Sequence, residues 1–104
     1  MDDTVVLRTI LHNQRVAGNI VSWVHTGEPL IGYWIGKEFW GKGVATRALM
    51  LFLDVVVARP VFARVARHNR GSVRVLEKCG FAVCGEDMVF TGGEQIEELI
   101  MRLG

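Results

Sequence analysis

The residues best placed to do chemistry lie in one run, Gly36-Lys37-Glu38-Phe39-Trp40-Gly41-Lys42-Gly43-Val44-Ala45-Thr46, between a strand-like and a helix-like segment. The first N–H groups of a helix have no partner within it, and the helix dipole favours negative charge there. Gly41 and Gly43 carry no side chain to hold an anion away, and Ala45 keeps the next turn slim. The run therefore reads as a backbone cradle for a phosphate or pyrophosphate. A glycine-rich turn that binds nothing has the same composition, and these residues alone leave both readings open. A P-loop is the poorer match. Gly36, Gly41 and Lys42 fall in its register, but Gly43 stands where Ser or Thr would hold Mg²⁺, and Phe39 and Trp40 would crowd the phosphates.

The elements that must position this run follow from period and punctuation. Residues 4–11, 16–25 and 30–35 are rich in β-branched and aromatic residues and are separated by polar turns, which predicts an antiparallel meander. From Val44 onward apolar residues recur every three or four, at Ala45, Leu49, Phe52 and Val56 with Leu53 and Val57 beside them. This predicts an amphipathic helix over 44–58, stopped by Pro60. A strand over 61–67 follows, then a second helix over 72–79 with Asn69 as its cap, and Gly80 just past its end. Residues 81–90 and 95–103 read as two closing strands, the last with helical character as its alternative. The order predicts an α/β domain with a mixed sheet, a single domain over 1–104.

Bulk properties exclude several classes. Half of the residues are hydrophobic, enough for a packed core and against disorder. A formal net charge of +1 supplies no basic excess for nucleic acid or an anionic membrane. The longest apolar run, 49–58, is interrupted by Asp54 and too short to span a bilayer. The start Met1-Asp2-Asp3 lacks the basic residues of a secretory signal, and Cys79 and Cys84 lack a disulfide framework. A cytoplasmic protein with reduced thiols is expected, though a bridge between these two cysteines stays open.

Trp40-Gly41-Lys42-Gly43-Val44-Ala45 resembles the acetyl-CoA pyrophosphate motif of the GNAT acetyltransferases, Gln/Arg-x-x-Gly-x-Gly/Ala, with Trp40 replacing the usual Gln or Arg. Asn69-Arg70-Gly71-Ser72 and Leu76-Glu77-Lys78-Cys79-Gly80-Phe81 resemble the second signature of the branch containing ribosomal-protein N-terminal acetyltransferases. Gly32-Tyr33-Trp34-Ile35-Gly36 is similar to that branch as well. The resemblance implies a GNAT-like fold and N-acetyl transfer from acetyl-CoA to a primary amine. It implies that the strand end Trp34, Ile35 and Gly36 splays to pair with the pantetheine arm. Trp40, Gly41, Lys42, Gly43, Val44, Ala45 and Thr46 would surround the pyrophosphate, and Asn69 the reacting end. Many family members protonate the leaving thiolate with a tyrosine at the position of Leu76, and in this branch the serine is the substitute, which maps to Ser72. An ordinary helix role for Ser72 and a solvated one for Lys42 remain open.

No general base is assigned; Glu28, Glu38 and His25 are candidates by their place near strand ends. The family also begins with a strand and helices ahead of the meander, which this sequence does not display. Their lack would leave a face near 4–11 and 16–24 under-covered, with Val5, Leu7, Ile20 and Trp23 exposed, and a homodimer is expected to close it. Three functions follow: an acetyltransferase whose acceptor site a second subunit completes, a non-catalytic acyl-CoA-binding module, or a structural dimer without cofactor.

Overall fold

The computed structural model describes residues 5–104, so Thr4 of the first expected strand lies outside them. Six strands form one sheet: β1 (Val6–His12), β2 (Arg15–His25), β3 (Glu28–Ile35), β4 (Val61–Ala66), β5 (Ala82–Thr91) and β6 (Glu94–Leu103). Two helices, α1 (Val44–Val55) and α2 (Arg70–Lys78), and a single 3₁₀ turn over Lys37–Phe39 complete the elements of the described residues. The spatial order is β1-β2-β3-β4-β6-β5, with β3 and β4 parallel and the remaining neighbours antiparallel.

The strands run further into their turns than the composition suggested. Asn13 and Gln14 have φ of 51° and 67°, and Thr26 and Gly27 47° and 79°. Gly92 and Gly93 are left-handed too, at 58° and 77°. Two left-handed residues in succession make the tight hairpin turn whose twist suits the flanking strands, so each hairpin needs only two turn residues. Helix α1, in contrast, stops three residues short of the expected 58. Val55, Val56 and Val57 are β-branched, and the residues before Pro60 are disfavoured in the helical region. Arg59 then reaches back, its guanidinium donating to the Leu53 C=O in the last turn at 3.3 Å and to the C=O of Val56 and Ala58 beyond it at 2.9 and 2.8 Å.

Both helices lie on one side of the sheet. The β3-α1-β4 and β4-α2-β5 crossovers step in the same direction, so a common hand sends both helices to one face. Ile20, Ile31, Leu49, Phe52, Leu76 and Met101 form the heart of the core between them. At the end of α2 the Phe81 N–H donates to Leu76 C=O and the Gly80 N–H to Glu77 C=O, with Gly80 at φ 97°. This closing motif needs a left-handed residue, which glycine supplies without strain.

The opposite face carries no helix. Its β1–β3 half is apolar: Leu7 faces Val21, Trp23 pairs with Leu30, and the Trp23 ring lies over Gly32. Leu7 is 60% exposed and Trp34 63%. The under-covered face is therefore present, with two corrections to its expected membership. Ile20 points to the helix side and is buried, and Trp23 is half-buried. Val57, placed on the buried stripe of α1 by its spacing, is exposed because the helix has already ended. The β4–β6–β5 half is charged, with Arg64 between Asp87 and Glu98.

Candidate functional site

The site begins where the two parallel strands part. Leu30 and Phe62 are the one paired position between β3 and β4 among the described residues, and 31–35 and 63–66 run on without pairing to each other. The expected splay is present. The Gly36 N–H donates to Ala17 C=O on β2 at 2.8 Å. Backbone groups alternate sides along a strand, so Trp34 and Gly36 turn theirs to β2 while Tyr33 and Ile35 turn theirs to the gap. Of the three strand-end residues singled out by sequence, Ile35 is thus the one whose backbone faces the opening.

Gly18 is part of this arrangement and was not signalled by the sequence. A Cβ on Gly18 would lie 1.9 Å from the Trp34 carbonyl oxygen. Only glycine lets β2 and the end of β3 approach so closely. No local motif announces it, because the approaching atom comes from another strand.

Beyond β3 the chain turns through Lys37–Phe39 to the glycine run. Phe39 is buried beneath the β1–β2 turn, edge-on to His12 and under the Arg15 guanidinium, whose carbon is 5.2 Å from the ring centroid. The Trp40 indole N–H donates to Ile35 C=O at 2.9 Å, tying the loop to the strand end it leaves. Trp40 is otherwise exposed, so its place in the loop comes from this bond rather than from burial. Gly41 and Gly43 have φ of 76° and 74°, and a Cβ on either would meet nothing within 4 Å. Glycine is required there by backbone conformation, and the space in front of it is open. Gly43 caps α1 without a side-chain hydrogen bond, and the first helical bond runs from Arg47 N–H to Gly43 C=O at 3.1 Å. The N–H groups of Val44, Ala45 and Thr46 precede that ladder and point out of the helix start. Lys42 is exposed beside them.

Helix α2 starts at the C-terminal end of β4, across the gap. Asn69 caps it, its Oδ1 accepting from the Ser72 N–H at 3.2 Å. Ser72 sits in the first turn, and its Oγ lies 2.6 Å from the phenol oxygen of Tyr33 on β3. The structure thereby brings Ile35, Ser72 and Asn69 to one opening and adds Tyr33. Burial pushes the Tyr33 phenol above its usual range, an effect its hydrogen bond to Ser72 partly offsets. Further along α2, Cys79 directs its thiol to the Thr46 carbonyl at 3.8 Å, linking α2 to the first turn of α1. Burial raises this thiol as well. Both cysteines are free, Cys84 being exposed.

The base candidates are not gathered here. His25 and Glu28 pair with each other at the start of β3. Seven strand steps of about 3.3 Å put them roughly 23 Å from Ile35. Glu38 is closer but is exposed and ion-paired with Arg15 at 3.0 Å. Leu76 is in the core, one turn along α2 from Ser72. No cluster of three or more His, Cys, Asp or Glu residues suited to a metal occurs among the described residues. None of their helices is long and apolar enough to cross a membrane.

Known proteins share this fold. The probable N-acetyltransferase YjcK of Bacillus subtilis (strain 168) is 42% identical over 55 residues, which are 49% of this chain and 30% of that protein. The crystal structure of a probable acetyltransferase matches 97% of this chain and 62% of its own length, with a TM-score of 0.85 and 25% identity. The microcin C7 self-immunity acetyltransferase MccE, solved in complex with acetyl-CoA and AMP, has the same fold. It matches at a TM-score of 0.84 and 22% identity, over 97% of this chain and 61% of its own. The chain thus spans less than two thirds of the length of these relatives. The family model of the acetyltransferase (GNAT) domain matches residues 3–82, and with the splayed strands and the glycine junction in place, the chain belongs to the GNAT acetyltransferase family.

Proposed function

We propose that this chain binds acetyl-CoA and transfers its acetyl group to a primary amine, on a protein N-terminus or a small molecule. One observation carries the reading: two left-handed glycines open the first N–H groups of α1 onto clear space, beside a gap between parallel strands. Acetyl-CoA supplies a diphosphate, an extended arm with amide groups and an activated acetyl thioester. The N–H groups from Gly41 to Thr46 suit the diphosphate, with the Lys42 ammonium adding charge. The Ile35 backbone suits the arm, framed by Trp34 and Gly36, while Trp40 holds the loop in place. Asn69 and Ser72 stand across the gap at the reacting end. There Ser72 gives its proton to the departing sulfur while its oxygen takes the proton the amine sheds, so the side chain ends unchanged.

Family membership and the acetyl-CoA bound to MccE support this reading. The branch resembling ribosomal-protein N-terminal acetyltransferases is our finer assignment, resting on Trp40, Asn69, Ser72 and the leucine at 76. We take residues 1–104 as one domain working in the cytoplasm. A homodimer would cover the open apolar face around Leu7 and Trp34. A non-catalytic acyl-CoA-binding module is the second reading, favoured by the buried Leu76 where many relatives place their tyrosine.

Titration with acetyl-CoA by calorimetry, then thiol release across a panel of amines, separates the two. Binding with release establishes the transferase. Binding without release with any amine leaves the module, and no binding overturns both. Light scattering at micromolar concentration tests the dimer, which a monomer would refute.

A further inference from the structure

Tyr33 is the only tyrosine in the sequence, and its neighbours there assign it no chemical role. The structure puts it on the helix side of β3, packed against the core, with its phenol oxygen at the gap. That oxygen is 2.6 Å from Ser72 Oγ and 3.4 Å from the Ser72 carbonyl. We propose that Tyr33 is a positioning residue for acetyl transfer: its phenol O–H donates to Ser72 Oγ and so leaves the proton of Ser72 free to point into the gap between β3 and β4. The proposal rests on the reading of Ser72 as the group that protonates sulfur.

A serine hydroxyl has one proton and two lone pairs. In a helix that proton is ordinarily lost to the carbonyl one turn back. For Ser72 that carbonyl is His68's, which already accepts from the Arg70 N–H at 3.0 Å. A phenol donating to Oγ fills one lone pair and fixes the rotor, so the remaining lone pair and the proton face away from Tyr33. The oxygen separation lies at the short end of the ordinary O–H···O range, and the ring that carries the phenol is held by its packing. Because burial raises the phenol, it stays protonated through the neutral range and keeps its role as donor. The phenol's other acceptor is the Ser72 carbonyl at 3.4 Å, and Oγ at 2.6 Å is much the nearer. The residue one turn on, Leu76, is apolar, and Cys79 directs its thiol to Thr46 instead.

In the transfer step the amine nitrogen bonds to the acetyl carbon, the carbon–sulfur bond of the thioester breaks, and the proton of the amine's broken N–H bond goes to the free lone pair of Ser72 Oγ. The Ser72 O–H bond breaks as the S–H bond forms. Tyr33 keeps its proton throughout, and neither side chain changes charge. The cofactor's binding groups lie elsewhere, on the glycine junction, so loss of the phenol should act on turnover and not on affinity.

The test uses Tyr33→Phe, Ser72→Ala and the double variant in the full chain. Tyr33→Phe should release thiol at least about tenfold more slowly while calorimetric affinity for acetyl-CoA changes less than about twofold. The double variant should be no slower than Ser72→Ala alone, because both remove one unit. Since Tyr33 is the only tyrosine, its phenolate absorbance titrates it alone. Ser72→Ala should move that titration to higher pH, because on ionisation the phenolate becomes the acceptor and takes the Ser72 proton, which alanine cannot supply. A Tyr33→Phe protein with wild-type turnover, losses that multiply in the double variant, or a titration unmoved by Ser72→Ala would each overturn the proposal. Wild-type protein that binds acetyl-CoA but releases no thiol overturns the transfer reading itself. Thiol release indifferent to Tyr33 overturns only this role.

Discussion

Two strand-to-helix junctions meet at the same gap and are built in opposite ways. At β4-α2 the helix start is closed by its own sequence, with Asn69 Oδ1 accepting the Ser72 N–H. At β3-α1 the cap is Gly43, which offers no side chain, and clear space lies in front of it. Both helices have the same electrostatics at their first turn, a positive dipole end with orphan donors. Asn69 uses that end for stability. Gly43 leaves it open at a cost of only about a few tenths of a kcal/mol relative to a side-chain cap. A junction kept open while its neighbour is capped is where the proposed ligand would take the place of the cap.

The sharpest way to break this contrast is to give Gly43 an anion of its own. Gly43→Asp offers a carboxylate to the N–H groups that would hold the diphosphate. The strain of a left-handed aspartate is worth about 1–2 kcal/mol, and the cap it gains over glycine offsets only about a few tenths of a kcal/mol. Stability should therefore fall by about 1 kcal/mol while calorimetric affinity for acetyl-CoA falls by roughly 100-fold or more, about 2.7 kcal/mol. Gly43→Asn has nearly the same shape without the charge and should lose much less. Equal losses in the two variants would assign the effect to strain and remove the charge argument.

Among the glycine variants, Gly18→Ala should give the largest loss of stability. Its Cβ would enter the Trp34 carbonyl, so β2 and the end of β3 must separate. Overpacking of this kind costs about 1–3 kcal/mol. In a chain of this size each kcal/mol lowers Tm by about 4–8 °C. The strand end beside the gap moves with it, so acetyl-CoA affinity should fall too. A protein with unchanged Tm would show that β3 has room the structure does not give it.

The capped junction should respond differently. Asn69→Ala should cost about 1 kcal/mol of stability, read by thermal or denaturant melting. Asn69→Asp restores the capping oxygen and should recover that stability. It also replaces the amide N–H₂ with a second oxygen. Turnover that stays low in Asn69→Asp would show that the amide acts at the reacting end, and full recovery of both would leave Asn69 as a cap alone.

What was legible in the sequence divides along local and tertiary lines. The strand and helix order, the Asn69 cap, the Gly80 closing motif and the glycine junction are signalled by residues within a few positions of one another. Periodicity needs only near neighbours, and so do caps. Gly18, Tyr33 and Trp40 were illegible in their roles for the converse reason. The Tyr33–Ser72 bond joins residues 39 apart, and the atom that forbids a side chain at Gly18 belongs to the next strand. Trp40 read as a departure from a motif, and only the fold shows its indole reaching back to Ile35 C=O. The early end of α1 was misjudged because the apolar spacing continues through Val56 and Val57 after the backbone has left the helix.

The smallest expected effect concerns what holds the open junction in place. Two contacts tie the 3₁₀ turn to the β1–β2 hairpin: the ion pair Arg15–Glu38 and the buried Phe39 ring beneath the Arg15 guanidinium. Both partners of the ion pair are well exposed, at 66% and 63% of their side chains, so solvent and salt screen it. Such pairs contribute about 0–1 kcal/mol. Phe39 is 4% exposed, and removing a buried aromatic ring costs about 3–5 kcal/mol. Glu38→Ala should therefore leave both Tm and acetyl-CoA affinity close to wild type, whereas Phe39→Ala should destabilise the protein heavily. Arg15→Ala should fall between them, since it removes the ion pair and also the cation over the ring, worth about 0.5–1 kcal/mol at an exposed site. If Glu38→Ala alone weakened acetyl-CoA binding severalfold, the carboxylate would be acting at the junction itself. The loop's placement would then depend on charge rather than on the packing of Phe39.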